Sequence, residues 1–154
     1  MTKHILLLLA CSLFLLSACK KKTTTPTIVE SSLSLKVDGA SKTYTGSAIK
    51  YTAGGNLQIS GLETNAAYNT VFILVPNPKV ATFTAANGAY FQLSVQEPQV
   101  AAYASDQTGS VTITSLSDTR VAGTFNFVGS HIGSAGTTTK TITEGTFDVA
   151  VTAQ

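Results

Sequence analysis

The chain has 154 residues, with ten Lys and Arg, eight Asp and Glu, two Cys, two His and no Trp. Its formal charge of +2 is concentrated at Lys20, Lys21 and Lys22; from Thr23 onward six basic residues face eight acidic ones, a balance of −2. A body with that balance and a single Arg lacks the basic stripe that nucleic-acid binding requires, so nucleic acid is not an expected partner.

The first element is a leader. Lys3 gives a basic start, the apolar run extends from Ile5 to Leu16, and the small residues Ser17 and Ala18 precede Cys19. That order is a secretory signal, and the run is shorter than the ~20 apolar residues that span a bilayer. Leu16-Ser17-Ala18-Cys19 resembles the lipobox of bacterial lipoproteins. The resemblance implies thioether lipidation of Cys19, cleavage before it and acylation of the new amino terminus, a palmitate-type anchor. Leu8-Leu9-Ala10-Cys11 fits more loosely. Cutting there leaves only Ile5 to Ala10 as the apolar core, below the ~7–15 residues such a core needs. Cys11 then leaves with residues 1–18, and Cys19 is blocked by lipid. No disulfide, Cys nucleophile or Cys-based metal site is expected.

Residues 19–32 read as the lipidated Cys and a linker, because the Thr/Pro start and Ser31-Ser32 offer little to bury. Lys20 to Lys22 have two readings: a contact with anionic headgroups, worth up to ~1 kcal/mol per charge, or a solvated tether. Lys rather than Asp at position 20, by resemblance to lipoprotein sorting, implies the outer membrane.

Residues 33–154 form the expected single domain. Leu33, Leu35 and Val37 alternate with polar residues, as do Leu57 and Ile59; Phe91, Leu93 and Val95; Val111 and Ile113; Phe125 and Phe127; and Phe147, Val149 and Val151. Alternation of this kind puts one side of each strand on a core and the other in water. Turn chemistry separates the runs at Asp38-Gly39, Gly54-Gly55-Asn56, Pro76-Asn77-Pro78, Asn87-Gly88 and Ser117-Asp118-Thr119. Val71-Phe72-Ile73-Leu74-Val75 breaks the pattern and suits a strand buried on both faces. The expected class is all-β: an antiparallel β-sandwich or a partly closed barrel of about nine or ten short strands, with the sandwich favoured. Lys36, Lys50, Glu97 and Lys140 read as charges guarding strand edges.

Chemistry is sparse. His131, the one His after cleavage, lies in Gly129-Ser130-His131-Ile132-Gly133-Ser134-Ala135-Gly136 and reads as a loop residue. It has no nucleophile-elbow motif beside it and no second His for zinc. The eight carboxylates are scattered; none nominates a glycosidase pair or a calcium loop. No catalytic residue, metal or cofactor is expected. Phe72, Phe91, Phe125, Phe127 and Phe147 read as core. Tyr68 and Tyr90 fall on polar or outward positions and are the candidate ligand contacts, for stacking on a sugar or a partner protein; the plainer reading is a packed ring with a wet hydroxyl.

Three stretches carry a wider resemblance: Leu35 to Gly39; Gly109 to Thr114 leading into Ala122 to Phe127; and Ile142 to Val149. In these the chain resembles small Gram-negative lipoproteins of the Bacteroidota type that carry an all-β domain of unknown function. Tyr44 stands where many of them have an aromatic, often Trp, after Asp-Gly. The resemblance implies fold and address, and no activity. The expected protein is a non-enzymatic envelope lipoprotein. It is held on the outer membrane through Cys19, facing the periplasm or the cell surface, as an accessory or interaction module. The alternative is a ligand-binding module for a glycan or small apolar molecule; possible partners are an envelope protein or a glycan.

Overall fold

A computed structural model describes residues 30–66, 68–96, 98–105, 107–133 and 138–154. The leader, Cys19, the lysine cluster and Glu97 lie outside the described residues. The rest is built from ten strands: β1 (Ser32–Val37), β2 (Ala40–Lys50), β3 (Asn56–Glu63), β4 (Thr70–Pro76), β5 (Ala81–Thr84), β6 (Tyr90–Gln96), β7 (Val100–Ser105), β8 (Ser110–Leu116), β9 (Arg120–His131) and β10 (Thr139–Ala153). A single 3-10 turn, Ala85–Asn87, precedes β6. β1 begins one residue earlier than the sequence pattern suggests. Ser32, expected as the last linker residue, is already paired with Thr45 and with Asp148.

The sheet closes, in the order β1-β2-β3-β4-β6-β7-β9-β10 and back to β1. This is a barrel of eight strands, not the favoured sandwich. β10 is responsible. One of its edges pairs with β9 from Thr139 to Ala150; the other pairs with β1 and then, in parallel, with β2 at Val151↔Ala48. β8 extends the lower half of β9, and β5 pairs outside β8.

Local chemistry explains the turns. Asp38 and Gly39 both have positive φ, 49° and 86°, the geometry a two-residue type I′ hairpin needs between β1 and β2. The Asp38 carboxylate then accepts the Thr141 backbone N–H at 2.9 Å, tying this turn to β10. Asn77 (φ 46°) lets the chain leave β4 after Pro76. A register shift in β10 between Ile142 and Gly145 places Glu144 at φ 50°, a bulge that bends the strand as closure requires.

Between the two ends of the barrel the inward phase of the long strands is apolar or glycine, and it fills the barrel. Phe91 and Phe127 stack across the lumen with centroids 5.3 Å apart, and Phe125 and Phe147 tilt together at 6.3 Å. Tyr44, Phe83 and Tyr103 join this core, which the sequence pattern did not assign. Two inward positions, Gly46 and Gly61, are paired with each other. A Cβ on Gly46 would strike Val149, and one on Gly61 would lie 2.9 Å from a Val71 methyl, so the wall can press inward there only because both are glycine.

Candidate functional site

With the lumen filled, candidate surfaces lie at the rim and on the outer wall. The rim at the β1–β2 turn carries the polar residues of the inward phase. Glu63 accepts from Lys42 Nζ at 3.0 Å and from Asn69 Nδ2 at 2.6 Å. Burial acts to raise the Glu63 carboxyl, but the Asn69 and Lys42 hydrogen bonds and the Lys42 charge outweigh it and hold it below the ordinary value. Burial, and then the neighbouring Glu63 charge, push the Tyr44 hydroxyl well above the ordinary tyrosine range. Lys140 faces the same rim, 3.3 Å from Asp38 and 5.9 Å from the centre of the Tyr103 ring. These charges are paired with one another and cap the core.

His131 belongs to this rim, not to a loop. It is the last residue of β9, in register with Tyr103, and its ring meets the Tyr103 ring edge-on at 5.2 Å. Its Nδ1 is buried without a hydrogen-bond partner. Among the described residues no group of three or more His, Cys, Asp or Glu is placed to hold a metal ion.

The outer wall is divided by charge. On the side of β1, β9 and β10 lie two ion pairs, Lys36–Glu144 at 2.7 Å and Arg120–Asp148 at 2.6 Å; a third, Lys50–Asp118 at 3.5 Å, joins the end of β2 to the β8–β9 turn. Lys36 and Lys50 therefore sit in ion pairs on a closed barrel, where the sequence reading had them guarding open edges. The outward positions of the other strands hold no charge. They are Thr43, Thr45, Ser47 and Ile49 on β2; Asn56, Gln58, Ser60 and Leu62 on β3; Thr70, Phe72, Leu74 and Pro76 on β4; Tyr90, Gln92, Ser94 and Gln96 on β6; and Val100, Ala102 and Ala104 on β7.

Phe72 is at the centre of this wall. It is half-buried and outward, a correction to its expected place in the core; the apolar run of β4 shows one face to the lumen and the other to this surface. Its cross-strand neighbours are Ser60 and Gln92, and the Tyr90 ring meets it edge-on with ring centres 6.2 Å apart. Two hydrogen-bonded ladders flank it. Tyr51 donates to Gln58 at 2.9 Å and Gln58 to Ser60 at 3.0 Å; Tyr90 donates to Gln92 at 2.9 Å and Gln92 to Ser94 at 3.3 Å. Beside Phe72 is an open groove of about 390 Å³, bordered by Thr45, Ser47, Ser60, Leu62 and Thr70.

The two tyrosines singled out from the sequence are not brought together. Tyr90 pairs with Leu74 at the lower end of β4, whereas Tyr68, 57 % exposed, precedes Thr70 at the upper end. The stretch from Thr70 to Leu74 alone separates them by about 13 Å. The residues that sequence reasoning missed are Phe72, Ser60, Gln58 and Gln92. Gln-x-Ser recurs in β3 and β6 at outward positions, and that repeat was a readable signal.

The fold and this wall occupy the segment that matches a family model, domain of unknown function DUF6252, over residues 31–150. The chain belongs to this family. No curated protein and no solved structure matches it.

Proposed function

We propose that this DUF6252 chain is a non-enzymatic lipoprotein of the outer membrane. It is anchored by lipid on Cys19 and serves as an accessory or interaction module that presents its uncharged wall to a partner. One observation carries the reading: the wall lies across the barrel from the point where the chain enters it. Ala150 N–H donates to Ser31 Oγ at 2.9 Å, and Arg120 donates to the Glu30 carbonyl at 3.3 Å, so the chain arrives over β10. In the ring of eight strands, β4 is diametrically opposite β10. A tether ending there turns β4, with Phe72, away from the anchored side. Interface centres are depleted of charge and enriched in aromatic residues, which this wall matches.

The test combines metabolic labelling with an alkyne fatty acid, membrane fractionation, and a photocrosslinking residue at Leu62 or, as control, at Thr146 on β10. Label lost in Cys19→Ala, outer-membrane recovery, and crosslinks at 62 but not 146 support the proposal. Label retained in Cys19→Ala, or crosslinks equal at both positions, overturns it. The groove beside Phe72 favours the second reading, a ligand-binding module, with the site on the outer wall, bordered by residues of β2, β3 and β4 and by neither Tyr68 nor Tyr90.

A further inference from the structure

We infer that the groove beside Phe72 takes a neutral polysaccharide strand; this rests on the reading of the uncharged wall as the contact surface. The argument begins with charge. Nineteen outward positions on five adjacent strands include no Asp, Glu, Lys or Arg. Two ion pairs occupy the opposite side of the same barrel. A charged ligand would find no counter-charge on this wall, and burying an unpaired charge against it is costly.

The second step is the match of donor groups. A sugar ring has an apolar face of C–H groups and a rim of hydroxyls that both donate and accept. Phe72 supplies the apolar floor, with Leu62, 48 % exposed, at the groove's edge. Ser60 and Gln92 stand on either side of Phe72 in register. Each Gln amide has two N–H donors and two acceptor lone pairs. In the ladders each spends one N–H on a Ser and one lone pair on a Tyr. Gln58 and Gln92 stand on the wall beside the groove rather than in its lining; each keeps one donor and one acceptor for a strand that runs past the groove, and its orientation is fixed before a ligand arrives, which lowers the cost of binding.

Size and shape favour a slender, flexible ligand; a protein partner on this wall would make only a small, transient contact. Five strands about 4.8 Å apart, each showing about 20 Å of length, make a wall of roughly 400 Å². A stable protein interface takes about 800 Å² per partner. These five strands are also more than half of the eight that form the ring, so the wall curves away from any rigid partner, such as a second copy of this chain. A polysaccharide can follow that curve. The groove, about 390 Å³, lies in the range of small-molecule sites.

The test uses the full chain in a non-ionic detergent, titrated calorimetrically with neutral oligosaccharides derived from starch, cellulose, mannan and xylan. Oligogalacturonate serves as the charged comparison. The expected result is binding of at least one neutral oligosaccharide, insensitive to added salt and weakened at least ~tenfold, or 1.4 kcal/mol, by Phe72→Ala. Leu62→Arg, at a half-solvated position, must block the groove likewise while leaving the fold intact, and Thr146→Arg on the opposite side must leave binding unchanged. No binding by any neutral oligosaccharide, binding of oligogalacturonate alone, or affinity indifferent to both groove variants overturns the inference. A protein crosslinked at Leu62 without glycan binding overturns it too, yet leaves the interaction reading standing. A wall whose variants change neither removes both.

Discussion

Replacing Phe127 by Ala should open a hole in the middle of the barrel, and its cost can be worked from the geometry. Phe127 is 2 % exposed and stacks on the fully buried Phe91 with planes 25° apart. Losing the ring from a fully buried site removes roughly 2–3 kcal/mol of transfer free energy. The pairing of Phe127 with Ile142 on β10, and of Asn126 with Ser110 on β8 just below, limits collapse, so about 100 Å³ of void should persist and add ~2 kcal/mol at 24 cal/mol per Å³. The expected total is ~4–5 kcal/mol, a large share of the 5–15 kcal/mol that holds a typical domain. Urea unfolding followed by tryptophan-free near-UV signals and far-UV circular dichroism reads this as a lower midpoint at unchanged slope. Because the cavity is apolar, benzene should restore part of the loss, as ligands that bind only the folded state do. A loss under ~1 kcal/mol, or no response to benzene, would refute the claim that side chains fill the lumen. It would also return the lumen to consideration as a ligand site.

Three further outcomes follow from particular contacts. Gly123→Ala would press a methyl into the Thr112 carbonyl and to 2.6 Å from the Phe147 ring, so β8 must shift off β9; a loss of ~1–3 kcal/mol on thermal unfolding is expected, and none would contradict the register. Arg120→Met removes the contacts to Asp148 and Glu30 while keeping the stem. These groups are partly solvated, so global stability should fall by no more than ~1 kcal/mol, whereas hydrogen exchange at residues 31–33 should rise. Unchanged exchange there would show that the arriving chain is held by something else. Glu63, whose folded-state carboxyl is depressed, contributes stability that is complete above the ordinary carboxylate value and is lost as pH falls through its lower folded one. Glu63→Gln should therefore flatten the acid limb of a stability–pH profile, and an identical limb would disprove the pairing with Lys42 and Asn69.

Much of the fold was legible one strand at a time. Leu33, Leu57, Phe91, Val111, Phe125 and Phe147 are all buried in the core, as their period-two spacing indicated. Asp38-Gly39 turns the chain as its chemistry requires. Tyr44 and Tyr103 escaped because their neighbours, Thr43, Thr45, Ala102 and Ala104, are too small or too polar to mark a phase. Phe72 was misplaced for the opposite reason: in Val71 to Val75 every residue is apolar, so periodicity could not say which face was inside. His131 looked like a loop residue because glycines surround it, yet Gly129 is in β9, where a Cβ would lie only 3.0 Å from the Tyr103 backbone and Cβ.

What the sequence determined by itself is local: alternation fixes which side of a strand is apolar, and Asp-Gly or Pro fixes where the chain turns. Those are properties of neighbouring residues, set by side-chain direction and by φ. Closure is not. Whether β10 returns to β1 and β2 depends on twist, the Glu144 bulge and the paired glycines at 46 and 61 acting together over more than a hundred residues. The candidate site has the same origin. Phe72, Ser60 and Gln92 become neighbours only through strand register, and the charged pairs gather on the other side only when the sheet curls into a ring. Tertiary structure decided the site because it is made of outward positions, and no single strand records which other strands stand beside it.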